Sequence, residues 1–229
     1  MKRFATMTAL VALVAFAGTA SAALRVPQVP VLGGGLQGYL NGVGESINVL
    51  TDQNAAQRWA ATVSNNSTFT VQVELSGNAA SNSIGIYNAS AAVPALYQVF
   101  PGAATTGWFA VVSFRSAPTR AIVTLLDPNA ILQGSTTYLG ADRNDFGYYL
   151  QNSGGTFYSQ DSRNAGSAAQ ALTFAGTGIN SGQWWLAWED TAIGGGSDQD
   201  YDDAVLFLES VNPTPVNKTT WGSLKARFQ

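Results

Sequence analysis

The residues with the clearest capacity for chemistry are six carboxylates crowded near the end of the chain. They make up six of the 14 acidic residues in the sequence: Glu189, Asp190, Asp198, Asp200, Asp202 and Asp203. No Lys or Arg occurs between Arg163 and Lys218, so no neighbour in sequence neutralises them. Crowded carboxylates raise one another's pKa values unless a cation joins them. The stretch therefore predicts a cation-binding loop.

The absence of Cys and His limits which cation such a loop can bind. Without Cys there is no disulfide, thiol nucleophile or thiolate zinc site, and without His there is no Ser-His-Asp triad or imidazole metal site. Oxygen ligands remain, and these suit hard cations such as calcium and magnesium. We expect the ion to be calcium.

The spacing of the aspartates suggests which of them bind the ion. If residues 198–203 are extended, Asp198, Asp200 and Asp202 project to the same side and form the core ligands. The run Gly194-Gly195-Gly196 lets the backbone turn tightly enough to offer carbonyl oxygens. The other carboxylates are expected as supplementary or outer ligands: Asp203, Glu189 and Asp190.

The Asp-x-Asp-x-Asp pattern that begins at Asp198 also matches the start of an EF-hand loop, with Glu209 at position twelve. Position six, however, is Asp203 where the EF-hand needs Gly. Residues 204–208 form a predicted strand, which places Glu209 about 20 Å beyond Asp203 at about 3.3 Å per residue. The EF-hand interpretation is rejected.

The acidic stretch allows three other interpretations. Asp190-Thr191-Ala192 resembles an aspartic-protease triplet, but that chemistry needs two Asp sharing a proton, and no second triplet occurs. Glu189 with a nearby Asp could serve as a glycosidase pair, and a hydrolase built on Glu189 or Asp190 stays open. An acidic loop that binds no ligand also stays open.

Three tryptophans precede the acidic stretch, and they suggest either a sugar-binding face or a core strand. Aromatic faces can stack on sugar rings, as in a lectin. On a strand, however, Trp184 and Trp188 face one way and Trp185 the other, so at least one face is expected to be core. The core interpretation is preferred.

The elements that must position these residues are short strands. Residues 68–75 alternate apolar and polar side chains with period two, which indicates a strand with one wet face. Turn residues separate about ten such segments, and no sustained helical period occurs. The sequence predicts an all-β, jelly-roll-like antiparallel β-sandwich. Apart from a short helical turn at 36–40, the predicted strands are 46–50, 59–63, 68–75, 84–87, 95–100, 108–114, 120–126, 146–150, 156–159, 171–174, 184–188 and 204–208.

The chain ends indicate export. Lys2 and Arg3 precede an apolar run over residues 4–17, and Ala20-Ser21-Ala22 gives a small-x-small cleavage site, so residues 1–22 are a predicted signal peptide. We expect a single sandwich domain at 23–212 and a tail at 213–229 with a short helix. That tail is either a packed or frayed end or a sorting or docking segment. No transmembrane anchor is expected in the mature chain, which should be secreted or held at the cell surface.

The charge of the mature chain bears on its partners. Removing Lys2 and Arg3 from the 11 basic residues leaves 9 against 14 acidic ones, a net charge of −5. Nucleic-acid binding needs a basic face, so no nucleic-acid partner is expected. An extracellular polysaccharide or a surface protein is the expected partner.

The acidic stretch also carries a family resemblance. Trp188-Glu189-Asp190, the glycine run and the segment 198–203 with its following apolar strand resemble a family of bacterial secreted domains of unknown function. That family is often found in exosortase-sorted (PEP-CTERM) proteins. Weaker matches occur in the expected order at 51–53, 82–87 and 146–150. The resemblance implies an exported β-sandwich whose acidic residues bind a cation or have an enzymatic role.

The chain departs from the family pattern in two places. Family members often carry an Asp-His pair where this chain has Ala168-Ala169-Gln170, so an activity that needs that His is not expected. Residues 219–225 stand where the family has its Pro-Glu-Pro and membrane-helix tail, so exosortase anchoring should not be assumed. The leading hypothesis is an exported calcium-binding sandwich with a surface, adhesion or matrix role. A carbohydrate-binding module is the alternative, and a carboxylate-dependent hydrolase is less favoured.

Overall fold

The computed structural model describes residues 23–74 and 78–214. The predicted signal peptide and the tail from residue 215 onward lie outside the described residues. In the part of the chain that the structure describes, no helix has both the length and the apolar character needed to cross a bilayer.

Short strands dominate the described residues, as the period-two alternation predicts. One α-helix precedes them, and its place matches the predicted helical turn: α1, Leu36–Gly42. Within residues 23–74 and 78–214, fourteen strands follow: β1 Gln53–Asn54, β2 Trp59–Ala61, β3 Asn66–Glu74, β4 Ser83–Asn88, β5 Leu96–Phe100, β6 Phe109–Ser116, β7 Thr119–Leu126, β8 Leu132–Leu139, β9 Phe146–Asn152, β10 Gly155–Tyr158, β11 Ala171–Ala175, β12 Trp184–Trp188, β13 Ala204–Glu209 and β14 Val211–Pro213.

The strands form two antiparallel sheets. The larger sheet has the order β1-β11-β12-β13-β3-β6-β7-β8. The smaller has the order β14-β2-β9-β4-β5, with β10 paired to β9. The all-β sandwich fold class is confirmed. β12 and β13 occupy the middle of the larger sheet, and these are the two strands that flank the acidic stretch.

The inner core lies between the two sheets and is rich in aromatic rings. The Phe69 ring of β3 meets the Tyr148 ring of β9 edge-on, with centroids 5.3 Å apart. The Phe114 ring of β6 stacks on Phe146 of β9 at 5.4 Å. Such pairs add about 0.5–1.5 kcal/mol each beyond area burial. These contacts fix the larger sheet, and hence the ends of β12 and β13, on a rigid base.

A second apolar cluster covers the outer face of the larger sheet. It joins the segment before β1 to side chains of β11, β12, β13 and the loop between β12 and β13: Leu36, Leu40, Ile47, Val49, Leu172, Phe174, Trp185, Ala187, Tyr201 and Val205. The central strands are therefore buried on both faces, which explains why every residue of β12 is buried.

The predicted strand at 46–50 is wrong, because the segment has no strand partner. Its alternation is real in burial, since Ile47 and Val49 are buried while their neighbours are exposed. The Gln37 side chain supplies the backbone partners instead. It donates to the Ile47 carbonyl at 2.7 Å and accepts from the Val49 N–H at 3.0 Å. A side-chain amide thus satisfies backbone groups that a sheet would otherwise pair.

Three of the described strands, β1, β8 and β14, were not predicted; β1 is only two residues long. β8 is exposed along nearly its whole length, so it lacks the apolar alternation on which the prediction depends. β14 is three residues long and ends in Pro213. It pairs with β2, so the sandwich reaches one residue past the predicted boundary at 212.

Candidate metal site

The two ends of the acidic stretch meet where two central strands of the larger sheet, β12 and β13, adjoin the loop between them. β12 and β13 pair antiparallel, with Trp188 opposite Ala204. The chain therefore leaves the sheet at Glu189 and rejoins it at Asp203, and these two residues lie side by side. The Glu189 N–H also donates to the Gln170 carbonyl at 3.0 Å, which extends the ladder by one bond. The loop between these residues, 189–203, is called the acidic loop below.

The acidic loop is coiled, so the extended arrangement that would align Asp198, Asp200 and Asp202 is wrong. Gln199 and Tyr201 have φ values of 60° and 59°, in the left-handed region. The Tyr201 ring is fully buried in the outer cluster, and its hydroxyl donates to the Ala169 carbonyl at 2.8 Å. This anchored ring turns the backbone and changes which carboxylates converge.

The carboxylates that converge are Glu189, Asp198 and Asp200. Each offers one oxygen, and these oxygens lie within 4.8 Å of one another. Calcium–oxygen distances are about 2.3–2.6 Å, so ligands on opposite sides of one ion are about 4.6–5.2 Å apart. All three oxygens can therefore contact the same ion. The triad could hold a metal ion without a rearrangement of the backbone.

Glu189 forms the floor of the triad and is fully buried. Its Oε1 accepts the Tyr201 N–H at 2.6 Å, and its Oε2 accepts the Ser197 hydroxyl. A carboxylate has about four lone-pair positions, so these two bonds leave capacity for a cation. They also fix the orientation of the carboxylate before any ion binds.

Two of the three carboxylates, Glu189 and Asp200, are costly to ionise. Burial raises the pKa of Glu189, and the charges of Asp198 and Asp200 raise it further, although its two hydrogen bonds partly oppose this. Burial also raises the pKa of Asp200, with Asp202 and Asp198 adding to the effect. A divalent cation at the triad would reverse these effects by attracting the charged forms.

The other three predicted ligands bond elsewhere. Asp190 accepts from the side-chain amides of Asn78 at 3.1 Å and Asn82 at 2.8 Å. Asp203 accepts the Asp190 N–H at 2.9 Å, which closes the base of the acidic loop. Asp202 accepts the Gly35 N–H. The structure thus brings together half of the predicted set.

Asp203 is nevertheless an unusual group. Burial raises its pKa to about 7, and the nearby charges of Asp190, Glu189 and Asp198 contribute to the rise. The Asp190 N–H, which donates to Asp203, partly offsets it. Asp203 therefore titrates near neutral pH when no cation is bound at the acidic loop.

The segment before α1 forms a second wall of the site, which was not predicted. The Leu32 N–H donates to the Gln199 carbonyl at 2.8 Å. Gly34 has φ +70°, and a Cβ built there would lie 2.4 Å from Cβ of Asp200. Only Gly fits a backbone that approaches another chain segment this closely. In the sequence, the only sign of this close approach is the run Gly33-Gly34-Gly35.

The tryptophans of β12 are core residues, which agrees with the interpretation preferred from the sequence over a sugar-binding face. Trp184 and Trp188 belong to the inner core and Trp185 to the outer cluster, each at most 4% exposed. The Trp184 ring lies 5.2 Å from the Trp59 ring. The Trp185 indole N–H donates to the buried Glu45 carboxylate at 2.8 Å. None of the three presents a face on which a sugar ring can stack.

No protein-family model matches the chain, and no curated protein is similar to it in sequence. The resemblance to the secreted, exosortase-associated family therefore stays a prediction that rests on the motif residues.

Proposed function

We propose that the protein is an exported calcium-binding β-sandwich with a surface, adhesion or matrix role. The observation that carries the proposal is the triad of Glu189, Asp198 and Asp200, whose oxygens lie close enough to contact one ion. Three carboxylates without a cationic neighbour in the sequence would surround a divalent ion with about three negative charges. Such a charge excess favours binding, because the ion relieves the mutual repulsion.

Calcium is the preferred ion because of the geometry of the donors. The triad combines one buried side chain at a strand end with two aspartates on a coiled loop, and this set has no regular arrangement. Calcium accepts six to eight oxygens in flexible geometry, whereas magnesium demands near-ideal octahedral geometry. Water and loop carbonyls would complete the coordination shell.

The ion's role is proposed to be structural. Glu189 is fully buried, so it cannot flank the scissile bond of a polysaccharide as a glycosidase carboxylate does. Asp200 packs against Gly34, and the adjacent Gln199 carbonyl bonds to Leu32. An ion on Asp200 would therefore tie the acidic loop to the segment that covers the outer cluster.

The proposed location and partners rest on the sequence. The predicted signal peptide favours export, and extracellular fluid supplies the millimolar calcium that a weak site requires. An extracellular polysaccharide or a surface protein is the proposed partner class, since the chain's negative charge disfavours nucleic acid.

The test is calorimetric titration of the mature chain, first freed of metal with a chelator, with calcium and, separately, with magnesium. We expect one calcium ion per chain and a weaker response to magnesium. Absence of binding heat together with an unchanged melting temperature at millimolar calcium would overturn the proposal. Equal affinity for both ions would overturn the choice of calcium while leaving a cation site.

A further inference from the structure

A cavity separate from the acidic triad lies between α1 and the outer face of the larger sheet. Its volume is about 250 Å³. The residues that line it come from α1 and its start, from β3 and β13, from the loop before β6 and from the acidic loop: Gly35, Leu36, Tyr39, Gln72, Thr106, Asp202 and Val205. None of the three triad carboxylates is among them.

The body of the cavity is apolar. Leu36 and Val205, two fully buried core residues, form part of its wall. The Tyr39 ring forms another part and packs edge-on against Trp185 at 6.1 Å. Its hydroxyl donates to the Gln72 side-chain oxygen at 2.9 Å, so these two polar ends satisfy each other. The cavity therefore favours an apolar body over water at most of its surface.

One charged group faces this apolar space. Asp202 lines the cavity, is 9% exposed and accepts the Gly35 N–H with one oxygen. That bond uses one of about four acceptor positions of a carboxylate. No Lys or Arg is among the lining residues, and the other carboxylates of the acidic loop add to the negative potential. The charge of the cavity is therefore complementary to a cation.

We propose that this cavity binds a small organic cation, namely a primary ammonium group on an apolar body. The ammonium donates to Asp202, and the apolar body packs against Leu36, Val205 and the ring of Tyr39. An apolar cavity of about 150 Å³ holds benzene, so about 250 Å³ accommodates a ring with a short aminoalkyl chain. The two proposed sites use different side chains but are neighbours, because the Asp202 N–H donates to Asp200 Oδ1 at 3.2 Å. Amine binding is therefore measured with no metal ion present.

Three probes of nearly equal size test the charge requirement: 2-phenylethylamine, 2-phenylethanol and phenylacetate. Each is titrated into the chelated protein at low salt and followed by amide NMR shifts. A hydrogen bond to a charged partner adds about 1.5–3 kcal/mol, so the amine should bind at least about tenfold more tightly than the alcohol. Phenylacetate should not bind.

Two matched variants test the place of binding. Thr106 is an exposed lining residue, and its neighbour Thr105 is exposed but does not line the cavity. Thr106→Trp should abolish amine binding by filling the entrance, whereas Thr105→Trp should leave it unchanged. Asp202→Asn should bring the affinities for amine and alcohol to within about twofold of each other, because the charge is lost.

Several results would overturn the proposal. These are equal binding of all three probes, no binding of the amine at millimolar concentration, or equal loss in the Thr105→Trp and Thr106→Trp variants. Asp198→Asn separates this proposal from the metal proposal. It should greatly reduce the calcium response, while amine binding to the metal-free protein persists.

Discussion

Replacement of Asp198 by Asn is the cleanest perturbation of the proposed metal site. Asp198 is the exposed member of the triad, so its substitution leaves the buried Glu189 and its hydrogen bonds in place. Asn keeps the shape of Asp but removes a negative charge. The metal-free variant should therefore fold and melt like the unchanged protein, and any loss appears only when calcium is added.

The expected size of that loss follows from linkage. Loss of even an outer-shell partner weakens metal binding about 10–100-fold, so loss of a direct ligand should cost at least about 100-fold. At calcium equal to 100 dissociation constants the unchanged protein gains about 2.7 kcal/mol, and the variant at the same concentration gains only about 0.4 kcal/mol. For a domain of this size, 1 kcal/mol shifts the melting temperature by about 2–4 °C. The increase in melting temperature on adding calcium should therefore fall from about 5–11 °C in the unchanged protein to about 1–2 °C in the variant.

The assay is thermal melting in chelator and in calcium, followed by calorimetric titration of the same samples. Asp202→Asn is the matched control, since Asp202 lies in the same loop and carries the same charge but bonds to Gly35. The control should keep most of the calcium shift. If Asp198→Asn retained the full shift while Asp202→Asn lost it, the proposed ligand set would be refuted.

Three further predictions concern pH, backbone approach and the core. Asp203 has a pKa raised to about 7 when folded and about 3.9 when unfolded, so the folded chain binds more protons in between. In chelator, the free energy of unfolding should therefore fall as pH rises from 4 to 8, and Asp203→Asn should flatten that slope; a slope of opposite sign contradicts the assignment. Gly34→Ala should destabilise by at least about 1–2 kcal/mol and weaken calcium binding, because it adds left-handed strain and a collision with the acidic loop. Gly38→Ala, in the open surface of α1, is the control: in denaturant titration it should leave the free energy of unfolding unchanged or raise it by up to about 1 kcal/mol. Equal effects at Gly34 and Gly38 would argue against the close approach of Gly34 to Asp200. Leu206→Ala, at a fully buried inner-core position, should lower the free energy of unfolding by about 2–5 kcal/mol in the same titration. The exposed Val63→Ala should change it by no more than about 0.5 kcal/mol. A small loss at Leu206 would mean a loosely packed core.

Much of the fold could be predicted because burial leaves a periodic record in the sequence. The period-two pattern of 68–75 corresponds to β3, and the apolar runs around the acidic loop correspond to β12 and β13. The core role of Trp184, Trp185 and Trp188 followed from strand alternation. The strand expected at 46–50 failed for a related reason, since alternation reports burial and not the presence of a pairing partner.

The site could be located but not assembled from the sequence. Composition and charge pointed to the acidic loop, yet the grouping of ligands depends on φ angles at Gln199 and Tyr201 that no local propensity favours. The buried Tyr201 ring fixes them through contacts with Ala169 and the outer cluster. The wall formed by Gly34 likewise depends on a contact across more than 160 residues. Tertiary packing decides both features.

The central claim is that Glu189, Asp198 and Asp200 hold one calcium ion. The most direct measurement is a crystal structure of the protein grown in calcium, with the ion located by its anomalous scattering. We expect one peak about 2.3–2.6 Å from a carboxylate oxygen of each of the three residues. The claim is contradicted if saturating calcium gives no peak there, or gives its only peak on Asp202 or Asp203.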